Sequence, residues 1–254
     1  MTHVTKLTRT QRVARRLVHP VGMPDLSRRA SLIAVLTAIS LALPGLAQST
    51  HPVTGRQIAP VMGVGGAGWL DRPERIEEEH PDEALAAIGI HAGMTVGDVG
   101  AGTGFMSLRM ARLVGATGKV YANDLQPEML QKLRANADRE KLSNVITVQG
   151  TDVDPKLPAN TMDVVLLVDV YHEFSHPQAM IDHIRDSLRP DGRLVLLEYR
   201  KEDPSIPIRL EHKMSVKEVK AELEPEGLRL DKVIETLPRQ HILIFKKKDS
   251  PPVG

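Results

Sequence analysis

From about residue 81 to residue 247, short apolar runs alternate with stretches whose apolar side chains recur at the helical period. Five of these runs are predicted to be strands: residues 94–99, 119–123, 145–149, 163–168 and 193–198. The run 163–168 is almost continuously apolar, as in a parallel strand that is covered on both faces. Helical segments are predicted between the strands, at roughly 126–139 and 177–188. This regular alternation with short loops favours a parallel α/β sheet.

The C-terminal part of the chain is predicted to complete the same sheet. Ser215 and Glu218 have the spacing of a capping box, which predicts that a further helix starts there and stops near Gly227. Two more apolar runs follow, at about 228–235 and 241–246. The prediction is therefore one α/β domain with seven strands.

Three alternating glycines, Gly100, Gly102 and Gly104, follow the first predicted strand and precede an amphipathic helix that starts at Phe105. Glycine is needed where the backbone turns sharply and a ligand must touch the main chain, because a Cβ would clash or forbid positive φ. Asp124, twenty residues after the last glycine, closes the second predicted strand. A carboxylate at that place can accept hydrogen bonds from both hydroxyl groups of a ribose. These features predict a nucleoside pocket.

The spacing of the glycines bears on which nucleoside binds. A dinucleotide fingerprint reads G-x-G-x-x-G, whereas this turn reads G-x-G-x-G, with Phe105 where the last dinucleotide glycine would stand. Asp98 precedes the first glycine by two residues, and an acid there suits a cationic ligand better than a pyrophosphate. The pattern D-x-G-x-G-x-G resembles the first motif of the class I S-adenosylmethionine-dependent methyltransferases. A nicotinamide cofactor and a degenerate, empty pocket stay open as alternatives.

The resemblance covers about residues 81–247 and is specific to fold and cofactor, not to substrate. It implies a Rossmann-like, doubly wound, mostly parallel seven-stranded sheet with helices on both faces, and S-adenosylmethionine as the methyl donor. It also implies a turn at 188–192 before strand five, where Asp191 replaces one glycine of the family's L-x-P-G-G. Asp152 matches the position at which members of that family often carry an acid that accepts a hydrogen bond from the adenine amino group of the cofactor. The residues expected to bind the cofactor are Asp98, Gly100, Ala101, Gly102, Gly104, Asp124, Leu125, Asp152, Val153 and Asp169.

Candidates for the chemical step follow strands four and five, because ligands on open parallel sheets bind beyond the carboxyl ends of the strands. Methyl transfer depends mainly on alignment, and it needs a general base only where the acceptor must lose a proton. His172 and Tyr171 are candidates to orient or deprotonate an acceptor, and Glu198 is a third candidate. The competing interpretations are that Tyr171 packs on the sheet and that Glu198 pairs with Arg200.

Residues 172–176 also spell H-E-x-x-H, the signature of zinc proteases. That motif needs a helix that places both histidines on one face. Here it follows a strand directly, and Pro177 disfavours a helical conformation at His176. No metal is expected on this basis, although a metal-assisted methyltransferase stays open.

Charge and composition restrict the acceptor. The formal net charge of the chain is +1, but residues 1–30 hold seven Lys/Arg and one acid, which leaves 26 basic and 31 acidic side chains in the rest. An acidic remainder and only seven aromatic side chains in the whole chain offer little to nucleic acid. The absence of cysteine excludes disulfides and thiolate metal sites. A small-molecule acceptor is therefore expected, with no nucleic acid as partner.

The basic N-terminal region resembles an export signal. Residues 31–43 are uncharged and mostly apolar, and residues 44–47 end this segment with small residues at the two positions that a signal peptidase reads, which predicts cleavage after Ala47. Met23 is an alternative start, and a disordered basic tail followed by a buried helix is the competing interpretation. The apolar segment is shorter than the ~20 residues of a membrane span, so no stable span is expected after cleavage.

The chain therefore divides into a signal peptide (1–47), a linker and N-terminal arm (48–80), a methyltransferase domain (81–247) and a disordered tail (248–254). Trp69, in the arm, is expected either to close the cofactor site or to dock the arm onto the sheet. The function predicted is that of an exported, periplasmic or secreted methyltransferase. A nucleoside-binding envelope protein without turnover is the alternative from another class.

Overall fold

The computed structural model describes residues 49–248, so the predicted signal peptide and almost all of the tail lie outside the described residues. The helices are α1 Ala67–Leu70, α2 Arg75–Glu79, α3 Pro81–Ile88, α4 Phe105–Val114, α5 Pro127–Arg139, α6 Pro177–Ser187 and α7 Val216–Leu223. The strands are β1 Thr95–Val99, β2 Lys119–Asp124, β3 Val145–Gln149, β4 Met162–Val168, β5 Leu188–Arg200, β6 Lys213–Met214, β7 Leu228–Ile234 and β8 Gln240–Lys247. No helix within this range is long and apolar enough to cross a membrane.

The strands form one sheet in the order β3-β2-β1-β4-β5-β8-β7. β8 runs antiparallel to both of its neighbours, and the other pairs along this path are parallel. β6, with only two residues, pairs with the end of β5 and raises the number of strands to eight. The predicted mostly parallel sheet is confirmed. The extra strand was not predicted because two residues carry no detectable period.

The apolar run of β4 supplies both faces of the core. Val164 and Leu166 pack in a cluster with α3 and α4, whereas Val165 and Leu167 pack in a second cluster with α6 and α7. Successive side chains of a strand point to opposite faces, so a continuously apolar strand must be covered twice. The doubly wound arrangement with helices on both faces is therefore confirmed.

The structure differs from the prediction at residues 188–192, which belong to β5 rather than to a turn before it. Met162 pairs with Leu188 and Val164 pairs with Arg193, so five steps along β5 accompany two steps along β4. A Cβ on Gly192 would come within 2.6 Å of the Met162 carbonyl oxygen. Pairing across this irregularity therefore depends on a glycine, and the Pro-Asp-Gly signal marks a bulge inside the strand.

Helix α7 begins at a capping box and is contacted by the N-terminal arm. The predicted capping box is confirmed at α7, where the Ser215 hydroxyl accepts from the Glu218 amide and the Glu218 carboxylate accepts from the Ser215 amide. Three residues of the predicted arm, His51, Thr54 and Arg56, contact Glu222 in the same helix. Arg56 is buried there and donates two hydrogen bonds of 3.1 Å to the Glu222 carboxylate. The arm is thus fixed to the sheet's helical layer by an ion pair.

Candidate active site

A cavity of about 450 Å³ opens beyond the carboxyl ends of β1, β2 and β4. Ligands bind at this edge of open α/β sheets because the strand order reverses there and leaves a crevice. Two further segments complete the wall. Residues from the arm and α2 lie on it, and so do residues 207–212 after β5. Its lining includes Val61, Met62, Trp69, Arg75, Glu79, Gly100, Gly102, Asp124, Asp169, His172, Phe174, Pro207, Ile208 and His212.

The glycine turn forms a cradle in this wall. Gly100 and Gly102 have φ of +74° and +55°, which side-chain-bearing residues rarely adopt. A Cβ on Gly100 would lie 2.4 Å from Val170 Cγ2, and one on Gly102 would lie 2.9 Å from Leu70 Cδ1. Residues with side chains at these two positions would therefore be strained and would also collide with the walls of the cavity.

Asp124 lies at the same turn. Its Oδ2 accepts a hydrogen bond of 2.9 Å from the Gly102 amide, and its Oδ1 accepts one of 2.8 Å from the Gln126 amide. Burial raises the pKa of this carboxyl, while the backbone amides act in the opposite direction. The structure thus brings together the glycines and the acid, and the binding role of Asp124 stays a prediction.

Asp98 is buried beneath the turn rather than at the cavity surface. Its Oδ2 accepts a hydrogen bond of 2.5 Å from the Ser107 hydroxyl in α4, and burial raises its pKa to about 6. This contact joins β1 to the helix that follows the glycines. Asp98 therefore supports the turn from below, and Ala101, Gly104 and Val153 are likewise not among the residues that line the cavity.

Asp169, directly after β4, offers an unused acceptor at the cavity wall. Its φ is +50°, its Oδ2 accepts from Gln240 Nε2 at 2.7 Å, and its Oδ1 is buried with no hydrogen-bond partner among the described residues. Burial raises its pKa well above the usual range, and the charges of Glu79 and Glu198 add to the effect. A cationic ligand group beside Asp169 would supply the missing partner.

The two remaining predicted cofactor residues lie at the rim. Leu125 lines the cavity and remains 45% exposed. Asp152 also lines it and forms an ion pair of 3.2 Å with His176. Trp69 lines the cavity while half exposed, and the Arg72 guanidinium lies 3.7 Å from its ring centre. Trp69 is thus part of the wall, and its role as a lid stays a prediction.

His172 is the predicted catalytic residue that the structure places in the cavity wall. Its Nδ1 lies 2.6 Å from Glu198 Oε2, and its Nε2 lies 3.1 Å from His212 Nδ1. Glu198 is fully buried and does not line the cavity. It pairs with His172 rather than with Arg200, whose guanidinium donates to the backbone carbonyls of Leu237 and Gln240. Glu198 is therefore not a wall residue itself, and its hydrogen bond to His172 connects it to the cavity wall.

Tyr171 points away from this arrangement. Its hydroxyl lies 3.3 Å from His51 Nε2 in the arm, its ring packs edge-on against Phe174, and burial raises its pKa. The short 3₁₀ helix Tyr171–Glu173 turns successive side chains in different directions, which sequence alone does not reveal. The geometry agrees with the packing interpretation of Tyr171, because Tyr171 is not among the lining residues.

The H-E-x-x-H run does not form the zinc-protease arrangement. His176 has φ of −127° ahead of α6, is exposed, and pairs with Asp152, whereas His172 is buried against Glu198.

His212 was not predicted as a partner of His172, because forty residues separate them. Burial lowers the pKa of His212, and burial raises the pKa of neighbouring Glu173 to about 7.

The residues present fit an adenosylated cofactor that carries a positive charge. Gly100 and Gly102 line the cavity with their backbone, Asp124 lines it beside them, and Asp169 has a buried oxygen without a hydrogen-bond partner among the described residues. The mostly parallel sheet with a cavity beyond the carboxyl ends of its strands is the Rossmann-like fold expected of a class I methyltransferase.

Comparison with known proteins agrees with that class. Residues 90–242 match the family described as "Methyltransferase domain". A SAM-dependent methyltransferase from Aquifex aeolicus is 30% identical, and its crystal structure matches with a TM-score of 0.68 over 73% of this chain and 98% of that chain. The chain belongs to this methyltransferase family and is an S-adenosylmethionine-dependent methyltransferase.

Curated relatives include the ubiquinone/menaquinone biosynthesis C-methyltransferases of Pseudomonas putida and Hahella chejuensis. Both are 33% identical to this chain, over 114 and 121 residues. The matches cover 44% and 47% of this chain, and 44% and 48% of the relatives. The chain therefore matches less than half the length of these curated relatives.

Proposed function

We propose that this methyltransferase acts on a small, mainly apolar molecule that carries a hydroxyl group, such as a hydroxylated aromatic ring. S-adenosylmethionine, when bound, supplies a methyl group attached to a sulfonium sulfur. The neutral thioether that remains after transfer, S-adenosylhomocysteine, is a good leaving group. The chain's own residues then have to bind the acceptor, orient it and deal with its proton. The observation that carries the proposal is the juxtaposition of an apolar wall with the group formed by His172, Glu173 and His212.

The size and lining of the cavity support a small acceptor. At about 450 Å³ it lies in the range of small-molecule sites, and Phe174, Met180, Pro207 and Ile208 provide an apolar surface. The acidic charge of residues 31–254 makes a nucleic-acid backbone a poor partner. The curated relatives, named as C-methyltransferases of quinone biosynthesis, add support for a ring-bearing acceptor.

The polar group supports an acceptor that must lose a proton. The Glu198 carboxylate fixes the imidazole of His172, so that Nε2 is directed toward His212 at the cavity wall. A hydroxyl held there would give up its proton at the His172–Glu173–His212 group. The resulting oxyanion, or the ring carbon that it activates, would attack the methyl group in line.

The test is formation of S-adenosylhomocysteine with a panel of hydroxylated aromatic compounds. We expect turnover with at least one phenol and none with the matching methyl ether that lacks a hydroxyl. His172→Gln should lower kcat by about 10²- to 10⁴-fold, the usual range for a group that handles a proton, while the Kd for the cofactor stays the same. His183→Gln, at an exposed position of α6, is the control. Full activity of His172→Gln would contradict the proposal.

We further propose that the protein is exported, on the basis of the basic and then apolar residues up to Ala47. Cell fractionation, with N-terminal sequencing of the mature chain, tests this. A mature chain that begins at Gln48 supports export, and an unprocessed chain in the cytosolic fraction contradicts it.

A further inference from the structure

We propose that His172, Glu173 and His212 together bind one divalent transition-metal ion at the wall of the cavity. Each of the three side chains offers one ligand atom, and these atoms all lie within 4.8 Å of one another. His172 and Glu173 come from the 3₁₀ helix after β4, and His212 comes from the turn Leu210–His212 before β6. The proposal deepens the proposed function and rests on it for the role of the ion in the reaction.

The separation of the two histidines suits a shared ion. Their facing nitrogens, His172 Nε2 and His212 Nδ1, are 3.1 Å apart. Two imidazole nitrogens that each lie about 2.05 Å from one ion would subtend about 98° at that separation, which lies between octahedral and tetrahedral angles. Two imidazoles and a carboxylate, with open positions left over, form a ligand set typical of Zn²⁺ and Fe²⁺ sites.

The surroundings of His172 match those of a metal-ligating histidine. Its Nδ1 is held by the buried carboxylate of Glu198 at 2.6 Å, which fixes the tautomer and leaves the Nε2 lone pair free for an ion. Its backbone carbonyl accepts hydrogen bonds from the Ala59 amide at 3.0 Å and from Arg56 Nη1 at 3.2 Å. Both ends of the residue are therefore fixed before any ion binds.

The ion explains why a buried histidine, His172, and a half-buried one, His212, face each other at the cavity wall. An acceptor hydroxyl that binds at an open position of the ion would have its pKa lowered by the positive charge, and its proton would leave to solvent. With the ion bound, His172 would act as a ligand and would no longer take up the acceptor's proton itself, and Glu198 would be the residue that positions it. The H-E dipeptide of the H-E-x-x-H run takes part, but its second histidine does not.

The first experiment measures binding of metal alone. The purified full chain is stripped with EDTA, dialysed, and titrated with Zn²⁺ by calorimetry and with Co²⁺ by visible absorption. We expect one ion per chain and Co²⁺ d–d bands. His212→Gln and Glu173→Gln should each weaken Zn²⁺ binding at least tenfold, whereas His176→Gln should bind as the unaltered chain does. Thermal unfolding of each variant shows whether it is folded.

Two results would overturn the proposal: no stoichiometric binding of either ion, or an equal loss of affinity in His176→Gln. Glu198→Gln provides a second readout, because loss of an outer partner typically weakens metal binding by about 10- to 100-fold. Turnover of the stripped enzyme, measured in parallel, separates the two proposals. Methyl transfer without any metal binding removes this inference alone, whereas metal binding without turnover on any acceptor removes the proposed function.

Discussion

The two parts of the cavity wall are built in different ways. The part that is predicted to bind the cofactor, here called the cofactor part, depends on the backbone of one turn, in which Gly100 and Gly102 have positive φ and the Gly102 amide donates a hydrogen bond to Asp124. The part that we propose for the acceptor, here called the acceptor part, depends on side chains from distant elements, where His172 contacts Glu198 and His212. A site made by one turn can be recognised from a short motif. A site assembled by the sheet, in contrast, needs the structure.

The largest effect is expected from Gly102→Val, which should abolish cofactor binding and leave the acceptor part unchanged. Gly102→Val places a branched side chain at φ of +55° and 2.9 Å from Leu70 Cδ1, so we expect cofactor binding to fall below detection by calorimetry. Gly115→Val is the matched control, because Gly115 has φ of +65° but a Cβ added there would meet nothing within 4 Å. Equal loss of binding in both variants would mean that general strain, not the cradle, is responsible.

The next effect tests whether the arm supports the acceptor part alone. Arg56→Met removes the guanidinium that pairs with buried Glu222 and donates to the His172 carbonyl. Loss of one partner of a buried ion pair typically lowers the free energy of unfolding by about 3–5 kcal/mol. We expect kcat to fall while the Kd for the cofactor is retained, both measured well below the unfolding temperature. A change in cofactor Kd with unchanged kcat would refute the division between the two parts.

A third prediction concerns the acid beneath the glycine turn. The pKa of Asp98 is raised from 3.8 to about 6 in the folded protein, so between these pH values the folded chain holds a proton that the unfolded chain has lost. The free energy of unfolding must therefore fall as pH rises through this window, by at most about 3 kcal/mol. Asp98→Asn should remove this part of the decline. Denaturant unfolding at pH 4 and pH 7 measures it, and parallel curves for the two proteins would contradict the assignment.

The smallest expected effect sharpens the role of Asp124. Asp124→Ala should weaken cofactor binding by about 1.5–3 kcal/mol, the scale of a lost hydrogen bond to a charged group. Asp154→Ala, on the loop after β3, is a control carboxylate that does not line the cavity. Calorimetry with S-adenosylhomocysteine gives both affinities. Unchanged affinity in Asp124→Ala would remove this residue from the nucleoside cradle.

Sequence was sufficient wherever the determining interactions are local. The strand, the glycine turn and the acid twenty residues later lie within one β-α-β unit, so their spacing predicts both fold and cofactor. The capping box at Ser215 was predictable for the same reason. The bulge at 188–192 resembles a turn in the sequence because proline and glycine mark both features.

For the acceptor part, sequence could predict candidate residues but not their contacts with one another. His172 and Glu198 were both candidates, but their mutual hydrogen bond depends on β4 and β5 lying side by side. The direction of Tyr171 depends on the 3₁₀ helix that contains it. His212 belongs to a segment without any motif, and only the path of the chain after β5 brings it to His172.

The ion pair between Arg56 and Glu222 of α7 also limits how many N-terminal residues the chain can lose. A leader removed after Ala47 would end before the first described residues, so maturation would leave the salt link to Glu222 intact. Removal of the next nine residues as well, through Arg56, would leave the buried Glu222 carboxylate without its guanidinium partner and would remove the hydrogen bond from Arg56 to the His172 carbonyl. The N-terminus of the mature chain can therefore vary only between Ala47 and Arg56 if the contacts of Arg56 with Glu222 and with the His172 carbonyl are to be kept.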